Sequence, residues 1–152
     1  MINKDYIYNN EYLVLFSKNC SSYFHSLSYT FGYCMEVDNE KSVKEQVDII
    51  KKSNYKTIIF VDYEYIYDSI MQSLSDKEYK FIFTKSLGAF SKEENYFKFN
   101  KIYEFYKKGK INEIAFLDYN LFLIFKDKLN CKHILLDIER CKKDTVFDEK
   151  MV

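Results

Sequence analysis

The sequence contains no proline, no tryptophan and only three glycines among 152 residues. The polar turn that follows the first apolar run, SKNCSS at residues 17–22, has no glycine. A dinucleotide fingerprint of the GxGxxG type needs glycines at this turn, because the backbone must approach the pyrophosphate closely. The shortage of glycine therefore argues against a dinucleotide site of that type.

An excess of one charge and long hydrophobic runs are also missing. Lys plus Arg and Asp plus Glu both number 23, so the net charge is zero and gives no general attraction to nucleic acid or to an anionic membrane. Every apolar run is far shorter than the ~18 residues of a membrane span, and no basic segment precedes an apolar one at the N-terminus. We expect a cytoplasmic protein with no nucleic-acid partner and no transmembrane segment.

The four cysteines form no CxxC pair and have no histidine at a metal-ligand spacing; they are Cys20, Cys34, Cys131 and Cys141. This spacing argues against a zinc site, and no metal is expected. Free thiols are expected instead, with Cys34 and Cys131 buried as small apolar side chains.

Apolar runs alternate with helical patterns along the whole chain. Strands are predicted at residues 12–16, 33–37, 57–61, 80–84, 114–117 and 133–136, and helices at residues 23–31, 42–53, 63–73, 92–108 and 119–129. Residues 85–91 are predicted to be the longest loop. The alternation predicts an α/β fold: a three-layer, Rossmann-like arrangement with a mainly parallel sheet of five to six strands and helices on both faces. The β-branched run TIIFV should be the central strand. We expect residues 1–140 to form one domain and residues 141–152 to form a linker or terminal tail.

In open parallel sheets, ligands bind beyond the carboxyl ends of the strands. The first such turn offers Ser17, Asn19 and Ser22, whose polar groups could bind an anion or a sugar hydroxyl before the helix that follows. His25, one turn into that helix, could act as a base or bind a sugar. The alternative for His25 is a structural role on an amphipathic helix.

Three further candidates follow later strands. Asp62 could bind sugar hydroxyls, a metal or phosphate, or it could cap a helix beginning at Tyr63. Asp118, which follows the predicted strand at residues 114–117, could likewise bind a ligand or cap the helix that begins at Tyr119. Lys85 supplies a cation that suits a phosphate or a carboxylate, and its alternative is a solvated loop.

Two segments resemble parts of a known family. SSYFHSLSYTFGYCMEV is similar to the first helix, and INEIAFLDYNLFLIFKDKLNCKHILLDIE to the last strand-helix-strand unit, of the N-terminal, acceptor-side domain of retaining GT-B glycosyltransferases. The resemblance covers about residues 12 to 140. The sequence departs from the family at the glycine-rich turn after the first strand and at the C-terminal domain with its paired glutamates.

The resemblance implies a chain that binds a sugar or wall-polymer acceptor and is not active alone. The nucleotide-sugar donor would bind in a missing second domain, so the expected partners are the acceptor, that second domain or another copy of the chain. His25 would be the catalytic candidate nearest the transferred sugar. The other substrate-binding residues would be Ser17, Asn19, Ser22, Asp62, Lys85 and Asp118.

Three alternatives remain open. A non-catalytic Rossmann-like module could act through protein contacts, since no specific catalytic motif is present. A degenerate receiver domain would explain Asp62 and Thr84 at successive strand ends, although the acidic pair and the lysine of receivers are replaced by residues 17–19 and by Asp118. Acyl transfer by Cys20 with His25 is the third alternative.

Overall fold

The computed structural model describes residues 12–17 and 34–129. Within these residues the elements follow one another in this order: β1 Tyr12–Ser17, β2 Cys34–Val37, α1 Val43–Ser53, β3 Thr57–Val61, α2 Tyr65–Ser73, β4 Glu78–Phe83, α3 Leu87–Phe90, α4 Glu93–Lys107, β5 Glu113–Phe116 and α5 Tyr119–Phe125. The predicted helix at residues 23–31, the predicted strand at residues 133–136 and the tail at residues 141–152 lie outside the described residues.

The strands form one parallel sheet in the order β2-β1-β3-β4-β5. The predicted α/β class and the central position of β3 are confirmed. This order is one of the two common orders of doubly wound sheets. The chain leaves β1 to form β2 on one side and then crosses to β3 on the other, so the order reverses between β1 and β3. The carboxyl ends of these two strands mark the expected ligand site.

The central strands β1 and β3 are almost continuously apolar because both faces of the sheet are buried there. On one face, side chains such as Leu15 and Phe60 pack in a core with Ile50 of α1 and Ile70 of α2. The side chains that alternate with them point to the other face and are also fully buried; they include Val14, Phe16, Ile59 and Val61. Ser17, at the end of β1, is then the first polar position of its strand, and it too is buried.

Helix α4 ends as its sequence predicts. Gly109 has a φ of 75°, a left-handed conformation that glycine adopts without a steric penalty. The Gly109 amide donates to the carbonyl of Tyr106 at 3.1 Å, and the Lys110 amide donates to the carbonyl of Phe105 at 2.9 Å. This pair of bonds is a Schellman motif, which satisfies two carbonyls at the helix end.

Most strand and helix ends lie within two residues of the prediction, and three differences bear on the site or its neighbours. Helix α2 begins at Tyr65 rather than Tyr63, because Asp62 has a φ of 53° and Glu64 is extended. The predicted loop contains the short helix α3, which begins where the Ser86 hydroxyl accepts from the Ala89 amide at 3.2 Å. Helix α5 ends at Phe125, and hydrogen-bonded turns continue the chain to Leu129. Among the described residues, no helix is both long enough and apolar enough to span a bilayer.

Candidate functional site

The carboxyl ends of β1 and β3 bring a buried carboxylate and two polar side chains together. Ser17 is the last residue of β1, and Glu64 lies between the end of β3 and the start of α2. The Ser17 hydroxyl donates to Oε1 of Glu64 at 2.8 Å, and Nδ2 of Asn39 donates to Oε2 at 3.2 Å. Glu64 is only 7 % exposed. The sheet reversal therefore contains a carboxylate, a hydroxyl and an amide in direct contact.

Asn39 connects this cluster to helix α2. Its Oδ1 accepts a hydrogen bond from the Ile66 amide at 3.3 Å. The first amides of a helix have no partner within the helix, and the Glu64 side chain makes no capping bond to them. Asn39, from the turn between β2 and α1, supplies one such partner across 27 residues of sequence. The cluster thus fixes the start of α2 relative to two strand ends.

Asp62 makes a different set of contacts. Its carboxylate accepts from the Thr84 amide at 2.7 Å and from the Thr84 hydroxyl at 2.5 Å. Its own amide donates to the carbonyl of Ile82 at 2.8 Å. The helix cap proposed for Asp62 at Tyr63 is wrong, since the carboxylate joins the end of β3 to the end of β4 instead. Its substrate-binding role stays a prediction.

The remaining predicted residues are dispersed along the same edge or lie beyond the described residues. The Asp118 side chain accepts from the Leu121 amide at 3.0 Å, so the cap interpretation is confirmed. Asp118 follows β5, two strands from β3, a separation of about 10 Å at ordinary strand spacing. Lys85 is half-buried directly after Thr84. Asn19, Ser22 and His25 lie outside the described residues.

Sequence reasoning did not select Glu64 or Asn39. Glu64 was visible as an acidic residue in the short turn after the central strand, but Asp62 in the same turn was the more obvious candidate. Asn39 gave no local signal, because its role depends on contacts with Glu64 and Ile66, which are distant in sequence.

A pocket of about 240 Å³ opens beside Glu64, between the starts of α2 and α4. Its lining residues are Tyr63, Glu64, Tyr65, Glu94, Phe97 and Lys98. Tyr63 is buried, and its hydroxyl donates to Oδ2 of Asp68 at 2.7 Å. Burial and the neighbouring Asp68 carboxylate raise the pKa of the Tyr63 hydroxyl, so Tyr63 is a neutral wall of the pocket.

A larger pocket of about 390 Å³ lies at the amino end of the sheet, far from the reversal. It is lined by Met71, Gln72, Ser75, Lys77, Tyr79, Gly109 and Lys110. Nζ of Lys77 donates to the carbonyl of Tyr55 at 2.6 Å, and the Tyr79 hydroxyl donates to the carbonyl of Leu74. These polar groups close helix ends and loops. Binding-site rules for parallel sheets favour the smaller pocket at the carboxyl edge.

Two kinds of chemistry find no support in the part of the chain that the structure describes. Its cysteine and acidic side chains form no group of three or more that could hold a metal ion. Burial raises the pKa of the Cys34 thiol to about 12, which keeps Cys34 in the unreactive thiol form at neutral pH.

No protein-family model, curated protein or solved structure matches the chain. What the site does must follow from the chemistry of its own residues.

Proposed function

We propose that this chain is the acceptor-binding domain of a bacterial-type glycosyltransferase and that a saccharide binds at the reversal between β1 and β3. The observation that carries the proposal is the buried Glu64 carboxylate with Ser17 and Asn39 on its two oxygens. Saccharide hydroxyls both donate and accept hydrogen bonds, and they pair well with a mixture of carboxylate, amide and hydroxyl groups. The cluster has this mixture at the edge where parallel sheets bind ligands.

The proposal divides the work between this chain and a second domain. The sequence resemblance assigns the nucleotide-sugar donor to that second domain and places His25 nearest the transferred sugar. This chain would bind the acceptor and hold it in position for the transfer. Binding of the acceptor is therefore the activity to test, and sugar transfer by the chain alone is not expected.

The test is saccharide binding measured by ligand-observed saturation-transfer NMR. The probes are neutral methyl glycosides, namely the glucoside, galactoside and mannoside, each titrated against the full chain. Glu64→Gln replaces a charged acceptor by a neutral amide, and we expect the affinity for the best probe to fall about tenfold.

Glu78→Gln is the matched control. Glu78 accepts hydrogen bonds from Asn112 and Thr57, but it lies at the amino end of the sheet. We expect this variant to bind as the wild type does. Absence of binding by the wild type, or equal affinity of the wild type and Glu64→Gln, would contradict the proposal.

A specific contact favours a second candidate, a receiver-like interaction module that takes no phosphate. Asp62 and Thr84 follow the adjacent strands β3 and β4, and they are hydrogen-bonded to each other. In a receiver domain the same two positions hold an aspartate and a hydroxyl residue, and receivers share this strand order. Asp118 follows β5, where a receiver has lysine. This candidate predicts no saccharide binding and a protein partner or a self-associating chain, which sedimentation velocity would reveal.

A further inference from the structure

We infer that the pocket between the starts of α2 and α4 is a subsite for one sugar ring and that it selects neutral or cationic saccharides over anionic ones. This inference rests on the proposed function and names the class of acceptor. It is carried by the pocket's aromatic walls and by the charged groups among its described lining residues, which are Glu64, Glu94 and Lys98.

The pocket's size and position suit a single ring. Its volume is about 240 Å³, below the ~300–1,000 Å³ of pockets that enclose drug-sized ligands. Glu64 lines this pocket and also contacts Ser17 and Asn39. A ring in the pocket would therefore lie beside the cluster at the sheet reversal, and one saccharide could contact both.

Two aromatic walls are open to solvent. Tyr65 is 72 % exposed and Phe97 is 46 % exposed, whereas Tyr63, which also lines the pocket, is buried. The Tyr63 and Tyr65 rings meet edge to face, with centroids 5.9 Å apart. A sugar ring presents an apolar C–H face that packs against such aromatic faces, while its hydroxyls reach polar groups at the rim.

Composition alone would expose some tyrosines, because the chain has 15 of them. Tyr65 and Phe97 differ from scattered surface aromatics because both exposed rings line the same pocket as the buried Glu64 carboxylate. Tyr96 is a useful contrast, since it is 52 % exposed on the same helix as Phe97 but does not line the pocket.

The charges of the pocket are unequal. Among the described lining residues, Glu64 and Glu94 carry carboxylates and Lys98 carries an amine. Nζ of Lys98 lies 3.4 Å from Oε1 of Glu94, one helical turn away. The Lys98 amine is paired with Glu94, and the Lys101 amine lies over the Phe97 ring, 5.5 Å from its centroid. An anionic ligand placed beside the buried Glu64 would be repelled by its carboxylate. A neutral ligand avoids this repulsion, and an amino sugar would be attracted.

The experiment compares three probes by saturation-transfer NMR at neutral pH: methyl glucoside, glucosamine and glucuronate. We expect glucuronate to bind the wild type about fivefold more weakly than methyl glucoside, and we expect the gap to shrink as salt is added. Glu94→Gln leaves Lys98 without its partner, so this variant should lose most of the discrimination.

Aromatic variants test the walls of the subsite. Tyr65→Ala and Phe97→Ala should each weaken methyl glucoside binding about fivefold, because each removes an apolar face. Tyr65→Phe keeps the ring and should bind nearly as the wild type does. Tyr96→Ala is the control, with unchanged affinity expected.

The outcomes separate this inference from the proposed function. If glucuronate binds as well as methyl glucoside, or if Tyr65→Ala and Phe97→Ala bind like the wild type, the ring subsite is overturned. Sensitivity to Glu64→Gln would then still support a saccharide-binding site. If none of the saccharides binds the wild type, the proposed function fails and the inference fails with it.

Discussion

Two buried carboxylates at the carboxyl edge of the sheet, Asp62 and Glu64, have different roles. Asp62 accepts from the amide and the hydroxyl of Thr84 and so joins two strand ends. Glu64 accepts from side chains on two other elements, Ser17 and Asn39, and also lines a pocket. Side-chain partners beside an open pocket are easier to exchange for a ligand than a backbone amide is. Glu64 is therefore the better binding candidate.

The bond between Thr84 and Asp62 should be a measurable part of the folding free energy. Thr84→Val keeps the shape but removes the hydroxyl donor from a buried carboxylate, so we expect a loss of about 2 kcal/mol in the free energy of unfolding. Thr57→Val is the control. Its hydroxyl lies 3.5 Å from Oε2 of Glu78, at the limit of a hydrogen bond, so about 0.5 kcal/mol or less should be lost. Urea unfolding measures both, and equal losses would contradict the assignment.

A second prediction concerns pH and the amino end of the sheet. Nδ2 of Asn112 donates to Oε1 of Glu78 at 2.6 Å, and this bond, with help from Lys80, lowers the pKa of Glu78 below its ordinary value of 4.5. A carboxyl group whose pKa is lower in the folded protein than in the unfolded chain stabilises the fold at pH values above its unfolded-state pKa. This stabilisation is lost as the pH falls through its folded-state pKa. Asn112→Ala should therefore destabilise the protein at neutral pH, and the difference from the wild type should narrow below pH 4.5.

The control for this prediction is Asn95→Ala, because Nδ2 of Asn95 donates to the carbonyl of Ala89 and not to a carboxylate. The loss of unfolding free energy caused by Asn95→Ala should stay constant over the same pH range in urea unfolding experiments. A difference for Asn112→Ala that does not change with pH would show that the bond to Glu78 does not set its pKa.

At the scale of elements, predictability follows how local the signal is. The end of α4 was readable because Gly109 supplies the left-handed residue of a Schellman motif within the helix's own sequence. The start of α2 was not readable, because the conformation of Asp62 is fixed by contacts with Thr84, 22 residues away. Helix α3 was missed because it is only four residues long. Local chemistry thus predicted the end of α4 and the cap of α5, whereas a long-range contact decides where α2 begins.

Alanine substitutions at two glycines, Gly109 and Gly88, test the backbone conformations assigned to them. Ala at position 109 must adopt a φ near 75°, so Gly109→Ala should cost about 1 kcal/mol even though nothing crowds the added methyl group. A methyl group on Gly88, which lies in α3, would have the Ser86 hydroxyl oxygen at 4.0 Å as its nearest neighbour. Gly88→Ala should be neutral or should stabilise the protein by about 0.5 kcal/mol. Thermal unfolding compares them, and a reversed order would contradict the assigned conformations.

At the scale of the whole molecule, the alternation of apolar runs and helical patterns was enough to predict the fold class. Continuous apolar strands such as TIIFV indicate a sheet that is covered on both faces, which the burial of Ile58 and Ile59 confirms. The strand order was open, since hydrophobic pattern does not specify which strands are neighbours. The contact between Ser17 and Glu64 depends on that order, so the sequence pointed to Ser17 at this edge but not to its neighbours Glu64 and Asn39.

The aromatic cluster between the sheet and α4 should carry much of the stability. Phe99 is 2 % exposed, and its ring lies 5.3 Å from that of Phe83, 4.7 Å from that of Phe125 and 5.9 Å from that of Phe116. Phe99→Ala should therefore cost about 3–5 kcal/mol. Tyr96→Ala, on the exposed side of the same helix, should cost less than about 1 kcal/mol. If Phe99→Ala and Tyr96→Ala lowered the free energy of unfolding in urea by similar amounts, α4 would pack on the sheet through a different face.

The most direct test of saccharide binding at the sheet reversal is an amide NMR titration of the full, isotopically labelled chain with methyl glucoside. Binding at the reversal predicts chemical-shift changes concentrated at Asn39, at Glu64 and Tyr65, and at the first two turns of α4, from Glu94 to Lys98. No change at saturating sugar would contradict the proposed function. Changes confined to the amino end of the sheet, around Tyr79 and Lys110, would place the site in the other pocket.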